Sequence, residues 1–143
     1  MKQTIEGLML KEHERLDKLL TVLEENLDDY DKTKHNFDCF KWSLEKHFFV
    51  EEKVIFDSFV SISGQETNDT FHLLEDHVRI IGLLKVIEKR LNEKIKPKLE
   101  YLRQVIEMHR EFEDNEFYPN LDKRLSPEQK KRVSEKIKEI VPC

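Results

Sequence analysis

The sequence predicts an all-α protein, an up-down-up-down four-helix bundle with a short fifth helix at the C-terminus. Three observations carry that expectation. The 143 residues include only 3 Gly and 4 Pro, too few for the turns of a many-stranded β fold. Charged residues reach 38%, the mix of long amphipathic helices. Apolar residues recur three and four apart through four long windows. A chain of this size buries roughly two thirds of its unfolded surface, enough for a core without staples. One domain over residues 1–143 is expected, with the bundle over about 4–121.

The first helix runs from about Thr4 to Leu27, with Met9, Leu16, Leu20, Leu23 and Leu27 on one stripe and His13 within it. The polar segment Asp28-Asp29-Tyr30-Asp31-Lys32 stops it. A second helix from about Thr33 to Phe59 turns Phe37, Phe40, Leu44, Val54 and Ile55 inward, and His47 and Glu51 share that face. Ser61 to Thr67, containing Gly64, reads as a loop. The third helix continues to about Leu91 on a stripe of Leu73, Ile80, Leu84, Ile87 and Leu91, with His77 in its middle. Pro97 suits the first turn of a fourth helix, where a missing N–H costs nothing. That helix passes through Leu102, Val105, His109 and Phe112 and is expected to stop near Tyr118, before Pro119. Ser126-Pro127-Glu128-Gln129 then reads as an N-cap, a first-turn Pro and a capping-box Gln, opening a Lys/Glu-rich helix over about 126–141.

Basic and acidic residues number 25 and 30, a net charge of −5, so no general attraction to nucleic acid or anionic lipid is expected. The segment Met1–Glu6 lacks a signal-peptide core, and no window approaches the roughly 18 apolar residues that span a bilayer. These features predict a cytoplasmic protein, a monomer or small homo-oligomer, without nucleic-acid or membrane partners. Cys39 and Cys143 have neither disulfide density nor metal-ligand spacing.

Histidine carries the chemistry. At an offset of 62, His47-Phe-Phe-Val-Glu51-Glu52 matches His109-Arg-Glu-Phe-Glu113-Asp114, and both runs continue to an apolar-aromatic pair, Ile55-Phe56 and Phe117-Tyr118. At an offset of 64, Glu12-His13-Glu-Arg15-Leu16 matches Asp76-His77-Val-Arg79-Ile80. The chain is an approximate duplication of a helix pair, each pair supplying one lone His and one His-x-x-x-Glu. Residues i and i+4 share a helix face, so His47 with Glu51 and His109 with Glu113 point inward together. Burying two carboxylates costs several kcal/mol each unless they are paired, and no Arg or Lys stands on these stripes. Metal ions would supply the missing charge. Four imidazoles and two carboxylates without a thiolate suit iron, manganese or zinc, and exceed the four ligands of a closed zinc site. Two metals would each take two His, share both carboxylates and share an oxide or hydroxide. An octahedral preference then leaves a position open for dioxygen, peroxide or nitric oxide.

Glu-x-x-His spacing and H-E-x-x-H are both absent around these histidines. The acids just before them, Glu12, Glu45, Asp76 and Glu107, fall off the inward face and are expected in solvent. Glu52 and Asp114 are placed either to accept from ligand imidazoles or to be exposed. His35 is expected in solvent, and His72 at the surface or as an extra ligand. Trp42 and the nine Phe are expected in the core, with Phe48 and Phe112 placed to wall the site. Tyr30, Tyr101 and Tyr118 show no spacing that demands a redox role.

At these residues the chain resembles the hemerythrin family of HHE cation-binding domains, from about Leu8 to Leu121 and including the ending Phe117-Tyr118-Pro119. The resemblance implies a non-haem centre of two iron ions with an oxo or hydroxo bridge, in preference to manganese or zinc. It implies His13, His47, Glu51, His77, His109 and Glu113 as the metal ligands, with Glu51 and Glu113 bridging; His72 and Asp114 are further candidates. Oxygen carriers of the family have another His four residues before the third-helix His, where this chain has Leu73. They also use an Asp five residues after the fourth-helix His, the place of Asp114, whereas Glu113 fits the other members. Both comparisons count against simple reversible oxygen carriage. The expected function is binding or sensing of O2, H2O2 or NO. The alternatives are an oxidoreductase of oxidative or nitrosative stress defence or iron-centre repair, and an iron storage or sensing module.

Overall fold

Side-chain caps decide where three of the helices begin. A computed structural model describes residues 4–57 and 68–139 of the chain. The expected loop Ser61–Thr67, the helix end at Phe59 and the terminal Cys143 lie outside the described residues. Thr4 caps α1 (Ile5–Glu25), its Oγ1 accepting from the Gly7 N–H at 2.9 Å. The carboxylate of Asp122 accepts from the N–H groups of Ile5 and Glu6 at 3.2 and 3.0 Å, placing negative charge at the positive helix end. Asp29 caps α2 (Tyr30–Val50) by accepting from Lys32 N–H, so this helix starts three residues before the expected Thr33.

Two π-helical turns, Glu51–Phe56 and Glu113–Phe117, follow α2 and α4 (Glu100–Phe112) without a break. Each starts on the Glu of a His-x-x-x-Glu run. The second corrects the expected stop before Pro119. The Tyr118 N–H donates five residues back to Glu113, and Pro119 then falls in the first turn of α5 (Tyr118–Arg124), where its missing N–H is harmless. The expectation for Pro97 also fails. α3 (Asn68–Asn92) ends in a Schellman motif with Lys94 left-handed at φ 60°, Ile95 N–H on Arg90 O and Lys94 N–H on Leu91 O. The chain then needs residues 95–99 to cross the bundle end, and buried Leu99 immediately precedes α4. Pro97 therefore lies in the connection. α6 (Pro127–Glu139) opens with a reciprocal capping box, Gln129 N–H on Ser126 Oγ at 3.2 Å and Ser126 N–H on Gln129 Oε1 at 2.8 Å.

Cross-helix pairs set the register. Arg103 meets Glu24, Arg110 meets Asp17, Asp114 meets His13 and Asp122 meets Ile5, so α4 with its extension descends α1 residue for residue. Tyr30 with Leu91, Lys41 with Glu88 and Glu52 with His77 make α2 and α3 antiparallel in the same way. The result is a four-helix bundle, all helical among the described residues, with α6 packed against α1 and the first π turn.

The core is in two pieces. One contains Met9, Ile55, Leu73, Phe117, Tyr118 and Val133. The other contains Leu20, Phe37, Phe40, Leu44, Ile80 and Leu102. Between them lies a layer of buried His13, His47, His77, His109, Glu51 and Glu113. The aromatic residues are less uniformly internal than expected: Trp42 is 52% exposed, with Lys46 Nζ 4.5 Å over its ring, and Phe49 and Phe71 also face solvent. Helical rotation explains this, since Trp42 and Phe49 are seven apart on one α2 face while Phe37, Phe40, Leu44 and Phe48 occupy the inner one.

Truncating Phe37 to Ala is expected to destabilise the protein by about 3–5 kcal/mol through the cavity it opens, and Ser126→Ala by about 1 kcal/mol through the lost cap. Denaturant midpoints of the two variants should rank in that order.

Candidate metal centre

All four rods send ligand candidates into the middle layer, and the i, i+4 pairs arrive together because α2 and α4 remain α-helical up to the glutamates. His47 Nε2 lies 3.3 Å from Glu51 Oε1, and His109 Nε2 lies 3.3 Å from Glu113 Oε1. The lone histidines complete the crossing: His77 Nε2 is 3.1 Å from Glu51 Oε1, and His13 Nε2 is 3.3 Å from Glu113 Oε1. One atom each from His13, His47, Glu51 and Glu113 falls within 4.8 Å of the others, and so does one each from Glu51, His77, His109 and Glu113. The two groups share both carboxylates.

Glu51 Oε1, Glu113 Oε1, His77 Nε2 and His109 Nε2 are buried with no hydrogen-bond partner among the described residues, despite lying so close together. Their lone pairs converge on shared space rather than on one another. Orphaned acceptors in a dry interior are costly, and cations between them would remove that cost. The donor set fits a pair of divalent or trivalent first-row ions.

Three rings are oriented from behind. His13 Nδ1 is 2.9 Å from Asp114 Oδ1, His77 Nδ1 is 3.1 Å from Glu52 Oε2, and His109 Nδ1 is 3.0 Å from Asp76 Oδ2. A carboxylate on Nδ1 fixes the N–H there and turns the Nε2 lone pair toward the centre. Glu52 and Asp114 thus follow the accepting alternative. Asp76 corrects an expectation: it is buried on His109, because the neighbouring α4 approaches α3 on the side that a single helix's apolar stripe marks as outer. Its duplicate, Glu12, instead accepts from Arg15 Nη2 at 3.0 Å. Glu45 and Glu107 take surface ion pairs with Lys41 and Arg103.

Tyr118 is the participant that the spacing did not single out. Its buried hydroxyl donates to Glu51 Oε2 and, at 3.1 Å, lies on Glu113 Oε2, holding the outer oxygens of both carboxylates. Five residues after Glu113, it would lie well round an α-helix, but the π turn brings it back over the site. The signal was an aromatic at the same place in both repeats. The other copy, Phe56, stacks on His77 with ring centroids 5.8 Å apart. Phe48 stacks on the same ring at 3.8 Å and walls the site, whereas Phe112 sets its ring edge against His72. His72 is 59% exposed on its side chain and sits 3.6 Å from Asp76, behind the ring that Asp76 holds. His35 is exposed, as expected.

Electrostatics follow from burial among these groups. Burial draws the His13 ring toward neutrality, but the hydrogen bond to Asp114 and the adjacent Glu113 and Glu51 carboxylates outweigh it and push its pKa up to about 10. Burial likewise opposes charge on His77, yet Glu51 and Glu52 raise it. At His109 burial prevails, aided by His77, and the ring is held below its ordinary value. Burial and the adjacent Glu51 charge raise Glu113, while the facing imidazoles hold Glu51 ionised against its own burial. Burial and both carboxylates raise the Tyr118 phenol. Without metal, His13 therefore carries a proton at neutral pH, and burial beside Glu51 favours the protonated form of Glu113. Metal cations would displace both.

An antiparallel helical bundle with paired histidine-carboxylate clusters across its middle defines a buried metal-binding module. The hemerythrin HHE cation binding domain matches residues 4–121, and the chain belongs to that family. Neither a curated protein nor a solved structure matches the chain significantly. Among the described residues, no helix is long and apolar enough to cross a membrane.

Replacing Asp76 by Asn should lower metal affinity by about 10–100-fold, read by competition with a chromophoric chelator, while the exposed Glu107→Gln leaves it unchanged. The His13 shift has a second, metal-free signature. Its folded pKa is raised from 6.5 to about 10, so its stabilising contribution is complete below pH 6.5 and is lost as pH rises through about 10. Unfolding free energies of the metal-free protein should fall across that window, and His13→Gln should flatten the fall.

Proposed function

We propose that His13, His47, Glu51, His77, His109 and Glu113 hold two iron ions bridged by both carboxylates, and that the centre binds or senses a small ligand, O2, H2O2 or NO. The observation that carries this reading is the pair of four-residue clusters sharing Glu51 and Glu113, with unpartnered lone pairs turned toward common space. When bound, iron would supply a coordination site and reversible one-electron chemistry. The chain's own residues do the rest. Asp114, Glu52 and Asp76 keep the N–H of three rings on Nδ1 and their Nε2 atoms toward the metal. Tyr118 donates its one hydroxyl proton to Glu51 Oε2 and lies 3.1 Å from Glu113 Oε2, restraining the Glu51 carboxylate from turning away. Phe48 and the two apolar clusters exclude bulk water.

Buried Leu73, where oxygen carriers have a further histidine, supports a second reading. It leaves one cluster a ligand short of the carrier pattern and favours an oxidoreductase that turns over peroxide or NO. Leu73→His, four residues before His77, should tighten metal retention, read by competition with a chelator.

Elemental analysis of the purified protein is expected to find about two iron ions per chain, with ligand-to-metal charge-transfer absorption in the oxidised form. His47→Ala with His13→Ala should halve the metal content. A metal-free native protein, or a reduced protein whose spectrum ignores O2, H2O2 and NO alike, would overturn the proposal.

A further inference from the structure

Duplication of the helix pair pairs off the acids behind the rings as well as the rings themselves. Glu52 on His77 and Asp114 on His13 are counterparts, at offsets of 62 and 64. By the same two offsets, the counterpart of Asp76 on His109 is Glu12 on His47. That fourth contact is not made. Among the described residues the carboxylate beside the His47 ring is Glu51, 3.3 Å from Nε2, and none stands on Nδ1. Glu12 instead accepts from Arg15 Nη2 at 3.0 Å.

Side-chain length explains the diversion. Glu12 is one methylene longer than Asp76 and lies along α1 to the arginine three residues on. Arg79, the counterpart of Arg15, is exposed, and Asp76 crosses to α4. Glu12 and His47 nevertheless border one cavity of about 20 Å³ between α1 and α2, together with Arg15, Ser43 and Lys46. The space exceeds the roughly 10–15 Å³ that a single water needs, so a carboxylate has room to turn there. An acceptor is also wanted in it. Ser43 lies one helical turn before His47, and its hydroxyl is buried without a hydrogen-bond partner among the described residues. A carboxylate on His47 Nδ1 would accept from that hydroxyl too.

The hold of Arg15 is weak enough to compete with. It grips Glu12 through Nη2 alone, since its Nε and Nη1 are buried without a hydrogen-bond partner among the described residues, and both side chains are about a quarter exposed. A ring that ligates a cation through Nε2 donates more strongly from Nδ1, which weights the competition toward His47. The other cluster faces no such contest, because His77 and His109 both have a carboxylate on Nδ1.

We propose that Glu12 is a carboxylate shared between Arg15 and His47 Nδ1, and that the claim of Arg15 on it makes the His13/His47 position the weaker and exchangeable of the two metal positions. The assignment rests on the metal reading above and divides its two ions into a fixed one and a replaceable one. Glu12 and Arg15 are positioning residues, acting through His47 without touching the metal.

Anaerobic iron(II) titration of the full chain against a chromophoric chelator reads both positions. Wild type should fill in two steps whose affinities differ about 10–100-fold. Arg15→Met and, independently, Arg15→Gln should tighten the weaker step about tenfold and leave the stronger one unchanged, a gain that structural damage would not give. Adding Glu12→Gln to either variant should cancel the gain. In the zinc(II)-loaded protein, histidine NMR should show the His47 Nδ1–H of the arginine variants exchanging with water more slowly than in wild type. Two equal steps in wild type, or arginine variants whose weaker step stays where it was, would overturn the sharing. Absence of any binding step would overturn the metal reading along with it, so the two failures are distinct.

Discussion

Glu51 and Glu113 are buried together in the middle of the bundle, and nearly every other polar feature of the interior answers the cost of placing them there. Side by side in a dry layer, the two carboxylates cannot both ionise without partners. Four imidazoles face their inner oxygens, one phenol holds their outer oxygens, and three further acids stand behind the rings. The apolar core is divided in two so that this layer can pass between its halves. A metal-free chain settles the layer with protons, and a metal-loaded one would settle it with cations.

The π turns serve the same layer. A His and a Glu four apart need an α-helix, but a residue that reaches back over the Glu from the next turn needs one more residue in that turn. Starting each π turn on the glutamate satisfies both requirements in succession. It also moves the hydrogen-bond ladder at the point where Pro119 lacks an N–H, so a residue that normally ends a helix lies inside a continuous rod.

Fold and ligand candidates were legible because both depend on local periodicity. The stripes, the i, i+4 pairs and the Ser126 capping box are relations within single helices, and the duplication is visible by aligning one helix on another. What escaped depends on neighbours or on phase. Asp76 is outward by its own helix's apolar stripe and inward only because His109 of α4 comes to meet it. Tyr118 is out of phase until a π turn shifts it, and Pro97 is displaced by the residues that α3 and α4 need to turn the corner. Trp42 shows the converse, since hydrophobicity alone does not say which face of an amphipathic helix a residue occupies.

The duplication has one further consequence. Glu52 and Asp114 stand 62 residues apart and serve His77 and His13, 64 apart, so the halves are related by an approximate two-fold axis through the carboxylates. Phe56 and Tyr118 are also counterparts, yet one hydroxyl attends both glutamates while the opposite phenyl ring leans on an imidazole. A true homodimer of helix hairpins would be compelled to bring two hydroxyls to the same pair of oxygens, or none. Asp76 and Glu12 diverge similarly, one supporting a ring and the other engaged by Arg15. Fusion of the halves into one polypeptide releases them from enforced equality, and the two ends of a nearly symmetric cradle are free to specialise.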